Sequence, residues 1–363
     1  MLPYLVAFIL SIIATYNAQH TKISSFKFYV HSILAVAPLV ILAAFRDPQI
    51  GTDTENYIIL FENALSNNDS FLNYLFLHSG FEVGFLFYNF CVAHLVDTVE
   101  LYFIITYGLI TGFAYYSAMK LRNVISPQIF MTIYVFVFYS ETLNGLRQYM
   151  AVSLVLVAVA NLLRDKSIRY LFWTVIACLF HTSALISIII GVTYWLTYRY
   201  PLSQHKFLYI LICLAVLSLA MGLEYFANMG LLPTFEEKLG THLNDEYSGG
   251  ISNSHLLVCF CTLVFLFHFH INNPISDLML LMLIFTMIFY LSPSMNAILY
   301  RLVLYFNVMT CFAVAYVYKN PSSHSSRPLT KLLLMLFVAF YFFSIVISKT
   351  HEVVPYSSSL MGI

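Results

Sequence analysis

The chain has 363 residues, of which 60% are hydrophobic and only 9% charged, with a mean hydropathy of +0.82. Lys plus Arg number 17 and Asp plus Glu number 17, so the formal net charge is zero and no nucleic-acid partner is expected. Apolar runs of about membrane-spanning length recur from end to end, which excludes a water-soluble globule, and they lack the alternation of a transmembrane barrel.

The expected fold is an all-α polytopic membrane protein with about 12–13 transmembrane or half-membrane helices. It forms a single integral membrane domain over 1–363, with no soluble domain, linker or low-complexity tail. In chain order the helices are expected near 2–16, 28–45, 81–96, 101–119, 129–139, 147–163, 168–180, 182–198, 207–222, 254–271, 275–291, 299–318 and 331–348. The first run has neither a basic n-region nor a small-residue cleavage site, so it is read as a retained helix. Cys91, Cys178, Cys213, Cys259, Cys261 and Cys311 lie inside apolar runs without CxxC spacing, which gives neither a disulfide frame nor a zinc site.

The basic connections, with Lys22 and Lys27, Arg164 to Arg169, Arg199 and Lys206, and Lys319 to Lys331, are assigned to the cytoplasm. Loops at about 46–80 and 223–253 then fall outside the cytoplasm. From Arg147 onward this closes if 168–180 and 182–198 are two short legs that go out and return through His181. Upstream, Lys120 and Arg122 land on the outer face if both 81–96 and 101–119 cross. The shorter segment 81–96, which carries Glu82, is therefore read as re-entrant or peripheral.

Polar residues gather on the outer face. "FRDPQIGTDTENY" sets Arg46, Asp47, Asp53 and Glu55 within thirteen residues. Asp53 and Glu55 admit a divalent cation, but the pattern matches no EF-hand, so no metal is assigned; an Asx-type turn ahead of a helix is the alternative. In "SETLNGLRQYMA", Asn144 and Gly145 start a helix whose first turn holds Arg147 and Gln148. Such a helix start beside an Arg suits an anion such as phosphate, with Arg301 a second cation at similar depth; snorkelling to the headgroups is the alternative. His181 in "LFHTSAL" is either a hydrogen-bonded interfacial residue or a group for phosphate contact or proton transfer. Tyr57, Tyr74, Tyr247 and Tyr300 are candidates for stacking on sugars.

"FRDPQIGTDTENY", "LNGLRQYMAVSLVLVAVANLL" with the following "YLFWTVIACLFHTSALI", "GFEVGFLFYNF", "YRLVLYF" and a terminal "VVPY" together resemble the EpsG family of bacterial polysaccharide polymerases, within the broad Wzy group. The resemblance implies a GT-C-like membrane glycosyltransferase of the bacterial inner membrane with its active site facing the periplasm. It would join undecaprenyl-pyrophosphate-linked oligosaccharide repeat units, as in lipopolysaccharide O-antigen synthesis. No cofactor is needed, and the partners it implies are that lipid-linked substrate, the bilayer and a chain-length regulator protein. The leaving pyrophosphate would be met by Arg46, Arg147, Gln148 and Arg301, with His181 assisting. Asp53, Glu82 and Glu141 are the candidates for a general base on the acceptor hydroxyl. An O-antigen ligase, another lipid-linked-glycan transferase, or a lipid-linked oligosaccharide flippase or transporter are the alternatives. A transporter should carry charges along a path between both faces, whereas here they collect at one.

Overall fold

The computed structural model describes residues 2–66, 70–228, 272–291, 297–320 and 353–362, with helical positions at 262–263 and scattered ones between 328 and 339. Among these the chain is all α-helical, without a strand. Among the described residues, four helical stretches are long and apolar enough to cross a membrane: Leu2–Gln19, Phe26–Ala44, Val99–Lys120 and Leu299–Lys319. The protein is an all-α polytopic membrane protein. Two compact units are present, one of residues 1–182 with 338–363 and one of 183–337.

The first unit opens with α1 (Leu2–Gln19) and α2 (Phe26–Ala44). The buried face of α1 carries Tyr4 and Phe8 together with the small residues Ala7, Ser11, Ala14, Thr15 and Ala18. Small side chains let the two backbones approach, the device that replaces the hydrophobic effect between helices in lipid. Ser11 Oγ crosses the seam to donate to the Ala35 carbonyl of α2 at 2.6 Å.

Between α2 and the next spanning helix lie α3 (Thr54–Ser66), α4 (Phe71–Leu77) and α5 (Val83–Ala93). The stretch 46–80, expected as a loop, thus contains two helices. Their cause is a helical apolar period: Tyr57, Leu60, Phe61 and Ala64 line the buried face of α3. Asn89 Nδ2 of α5 donates to the Leu60 carbonyl at 3.1 Å and to Tyr74 Oη at 2.8 Å, joining the three helices. With only eleven residues, α5 is about 16 Å long, too short for a hydrocarbon core of about 30 Å.

The spanning helix α6 (Val99–Lys120) follows, then α7 (Pro127–Ile133), a π-helical turn at Tyr134–Phe138, and α8 (Tyr139–Thr142). Next comes α9 (Leu146–Leu162), in which every residue from Tyr149 to Leu162 is buried. A helix apolar all round belongs in a core, and α9 is packed by α6 and by α10 (Ser167–Phe180). At the end of α10 His181 adopts extended backbone, and a 3-10 turn follows at Thr182–Ser187.

The second unit contains α11 (Ile188–Arg199), α12 (Lys206–Asn228), α13 (Pro274–Tyr290), α14 (Ala297–Asn307) and α15 (Met309–Lys319). Its centre is α13, which touches the other four helices. Asn273 caps α13 by accepting from Ser276 N, and its amide donates to Tyr316 Oη of α15 at 2.8 Å. The run expected as one helix over 299–318 is met by the spanning stretch Leu299–Lys319, within which Val308 separates α14 from α15. The segments expected at 254–271 (apart from 262–263) and 331–348 (apart from isolated helical positions), and most of the 223–253 loop, lie outside the described residues.

Candidate functional site

The site grows from the turn after α2. Arg46 is buried, and all three of its nitrogens are engaged by the protein. Nε donates to the Ile50 carbonyl at 3.1 Å and Nη1 to the Ala43 carbonyl at 2.6 Å. Nη2 reaches Thr54 Oγ1, Tyr107 Oη and the Leu143 carbonyl at 3.0–3.1 Å. The side chain therefore ties the 46–54 turn to the segment just ahead of α9. Gly51 completes the tie: its φ is +86°, and an added Cβ would lie 2.5 Å from the Leu143 carbonyl oxygen. Only glycine suits both the left-handed backbone and that approach.

One residue further, the Asn144 side-chain oxygen accepts from Thr52 Oγ1 at 2.7 Å and from Asp53 N at 2.9 Å. The "GTD" and "NGLRQY" motifs are thereby one structure. Asn144 does not cap α9; Gly145 holds that position without a side-chain cap. Asp53 is half-buried and directly precedes α3, the Asp53 carbonyl accepting from Tyr57 N at 3.4 Å. The C-terminal tail closes on the same turn: Ser359 N donates to Asp47 Oδ1 at 2.8 Å, and Asp47 N donates to the Ser357 carbonyl at 3.1 Å. These contacts hold the Asp47 carboxyl below the ordinary carboxylate value, the Ser359 amide first among them and the Ser357 hydroxyl next.

On the first turn of α9, Arg147 Nη1 contacts Glu82 Oε2 at 2.7 Å. The guanidinium lies over the Phe81 ring at 4.5 Å and near Phe85 at 5.8 Å, and it interacts electrostatically with Tyr57 of α3. The second oxygen of Glu82 meets the end of α10. It accepts from Thr182 N at 3.2 Å and Thr182 Oγ1 at 3.0 Å, with His181 Nδ1 at 3.4 Å. Gly84 permits this: a Cβ there would fall 2.6 Å from both Leu179 Cβ and the Leu179 carbonyl oxygen, so α5 and α10 touch backbone to backbone. Burial pushes the Glu82 carboxyl up, but His181 and then Arg147 outweigh it and the net shift is downward, so Glu82 is an anion.

A family model described as the EpsG family matches residues 29–358. The chain belongs to the EpsG family. This is a Wzy-like polymerase family, which makes the protein a glycosyltransferase-like or polymerase-like membrane protein. No curated protein and no solved structure matches it.

Among the residues singled out in this EpsG-family sequence, Asp53, Glu82, Arg147 and His181 share the first unit and are linked through Tyr57, Asn144 and Glu82. Gln148 is half-buried beside Arg147. Glu141 is buried and accepts from the Tyr149 hydroxyl. Arg46 is a buried tie between segments, with its side-chain nitrogens bonded to the protein. Arg301 belongs to the second unit, half-buried on α14. Tyr57 and Tyr74 are buried core residues, not exposed stacking platforms; Tyr300 is half-buried and Tyr247 lies outside the described residues. Thr182 and Asn144 were not singled out as functional residues. Their signal was adjacency to His181 and Arg147, and nothing in the spacing of Glu82 announces that it reaches both.

Proposed function

We propose that this EpsG-family protein is an O-antigen or related polysaccharide polymerase that joins undecaprenyl-pyrophosphate-linked repeat units at the periplasmic face of the inner membrane. The observation that carries this reading is the convergence of Arg147, His181 and Thr182 on one anionic position, beside the Asp53 turn. The hydroxyl of the incoming lipid-linked unit attacks the anomeric carbon of the growing glycan. The bond from that carbon to the pyrophosphate oxygen breaks, and undecaprenyl pyrophosphate leaves. Negative charge grows on the leaving oxygen, where a guanidinium and an imidazole stabilise it. Asp53 takes the proton of the attacking hydroxyl, since Glu82 is held as the counter-ion of Arg147 and makes a weaker base.

Sidedness is supported by where the cations go. Arg122 Nη1 donates to the Thr21 carbonyl at 3.1 Å, beside Lys22, and Lys120 Nζ donates to Asn161 Oδ1 at 2.6 Å, near Arg164. Basic residues from three connections thus sit together at one end of the first unit. The positive-inside bias assigns that end to the cytoplasm, and the Arg147 end of α9 is the opposite one. In this reading α6 crosses while the short α5 does not, which is consistent with Lys120 and Arg122 lying on the basic side.

Deletion of the gene tests the reading. Polymerisation should stop while transfer to lipid A-core continues, leaving lipopolysaccharide with at most one repeat unit on a gel. An unchanged ladder removes the polymerase assignment, and loss of the single-unit band as well points to a ligase or flippase.

A further inference from the structure

Glu82 is surrounded by the donors that recognise a phosphoryl group: a guanidinium, an imidazole, a backbone N–H and a hydroxyl, from Arg147, His181 and Thr182. The guanidinium is incompletely used: Nη1 alone meets the carboxylate, and Nε is buried without a hydrogen-bond partner. A carboxylate has two oxygens and both are engaged, one by Arg147 and one by the His181–Thr182 turn. A phosphoryl group brings a third oxygen, and the two Nη groups of an arginine are an end-on fork for two of them, of which Glu82 uses Nη1 alone.

We propose that the Glu82 carboxylate occupies a seat built for a phosphoryl group, and that the pyrophosphate of the lipid-linked substrate binds by displacing it. This rests on the reading of Arg147 as the pyrophosphate ligand. Two anions cannot share the seat, because like charges a few ångströms apart in a half-buried site repel strongly. Glu82 also has somewhere to go. It is the N-cap residue of α5, yet its side chain makes no cap hydrogen bond there. The first N–H groups of α5 can donate to the displaced carboxylate, which favours a helix N-terminus. Until a substrate phosphate arrives, Glu82 neutralises Arg147 and keeps smaller anions out.

The test uses the full-length protein in a phosphate-free detergent, with inorganic pyrophosphate, farnesyl pyrophosphate and phosphatidylglycerol as separate probes in calorimetric titrations. Removing the competing charge with Glu82→Gln should tighten both pyrophosphates about tenfold, equivalent to about 1.4 kcal/mol, and adding Arg147→Ala should abolish the gain. Equal or weaker pyrophosphate binding by folded Glu82→Gln overturns the proposal. So does tightening confined to phosphatidylglycerol, which would make the seat a headgroup site. If Glu82→Gln does not fold, Glu82→Asp withdraws the charge by one methylene and should tighten pyrophosphate about threefold, or about 0.7 kcal/mol; no gain there counts against the proposal equally. Binding requires no polymerisation, so a failure here is distinct from a failure of the lipopolysaccharide test.

Discussion

Arg46 and Arg147 both lie against aromatic rings in the first unit, at 4.8 Å from Phe103 and 4.5 Å from Phe81. Arg46 binds neutral oxygens only, three of them backbone carbonyls, from two segments brought together by the fold. Arg147 faces a carboxylate on a side chain that can rotate, and keeps one buried N–H unpaired. Fixed carbonyls cannot be exchanged for a ligand, whereas a mobile carboxylate can. The contrast separates a cation tied into the fold from the one proposed to bind substrate, although both stand near the start of a polar stretch and look alike in the sequence.

The comparison breaks most visibly at Arg46. Arg46→Ala leaves the Ala43, Ile50 and Leu143 carbonyls without this donor, at about 1–3 kcal/mol for each that stays unsatisfied. A total loss of about 3–5 kcal/mol is expected, read as a much lower thermal midpoint in detergent and as reduced protein in the membrane. Arg46→Lys should rescue little, because one ammonium cannot serve acceptors on both segments. A variant of normal midpoint but no activity would place Arg46 among the ligands after all.

Arg147→Lys should show the reverse pattern. The charge opposite Glu82 remains, so the thermal midpoint and protein level stay close to those of the parent. The planar fork is lost, and elongation of lipid-linked repeat units should fall roughly a hundredfold or more. Ladders of normal length at matched protein level would return Arg147 to a structural ion pair.

Much of this was legible from the residues. Apolar periodicity located the spanning helices within a few positions, because uninterrupted hydrophobic length is a direct physical requirement of the bilayer. The reading of 81–96 as re-entrant or peripheral rests on the positions of Lys120 and Arg122, and the helix found there, α5, has eleven residues. Within the stretch read as an extracytoplasmic loop, the dense charges mask the Tyr57, Leu60, Phe61 and Ala64 period of α3, of which the Asx-type turn ahead of a helix is the visible sign. Grouping of motifs was harder. Asn144 binding the Asp53 turn and Glu82 bridging Arg147 to Thr182 are contacts at separations of 91, 65 and 100 residues, which no local pattern encodes.

The smallest expected effect is an acid-side difference between the parent and Glu82→Gln. Glu82 lies ahead of α5, outside the four spanning stretches, and its folded pKa is below the ordinary 4.5; burial alone would raise it, but His181 and Arg147 pull it lower. The folded protein therefore releases this proton more readily than the unfolded chain. The stability Glu82 supplies is complete above that ordinary value and drains away as pH falls through the lower folded one. Thermal midpoints followed from neutral pH downward should show the parent losing more than Glu82→Gln, which has no carboxyl to protonate. Asp47, also lowered by its bonds from Ser359 and Ser357, is common to both proteins and cancels in the difference. Curves that stay parallel through the acid range would mean that the Glu82 bridge contributes nothing to the folded state. The contrast between a mobile counter-ion at Arg147 and fixed carbonyls at Arg46 would then lose its energetic basis.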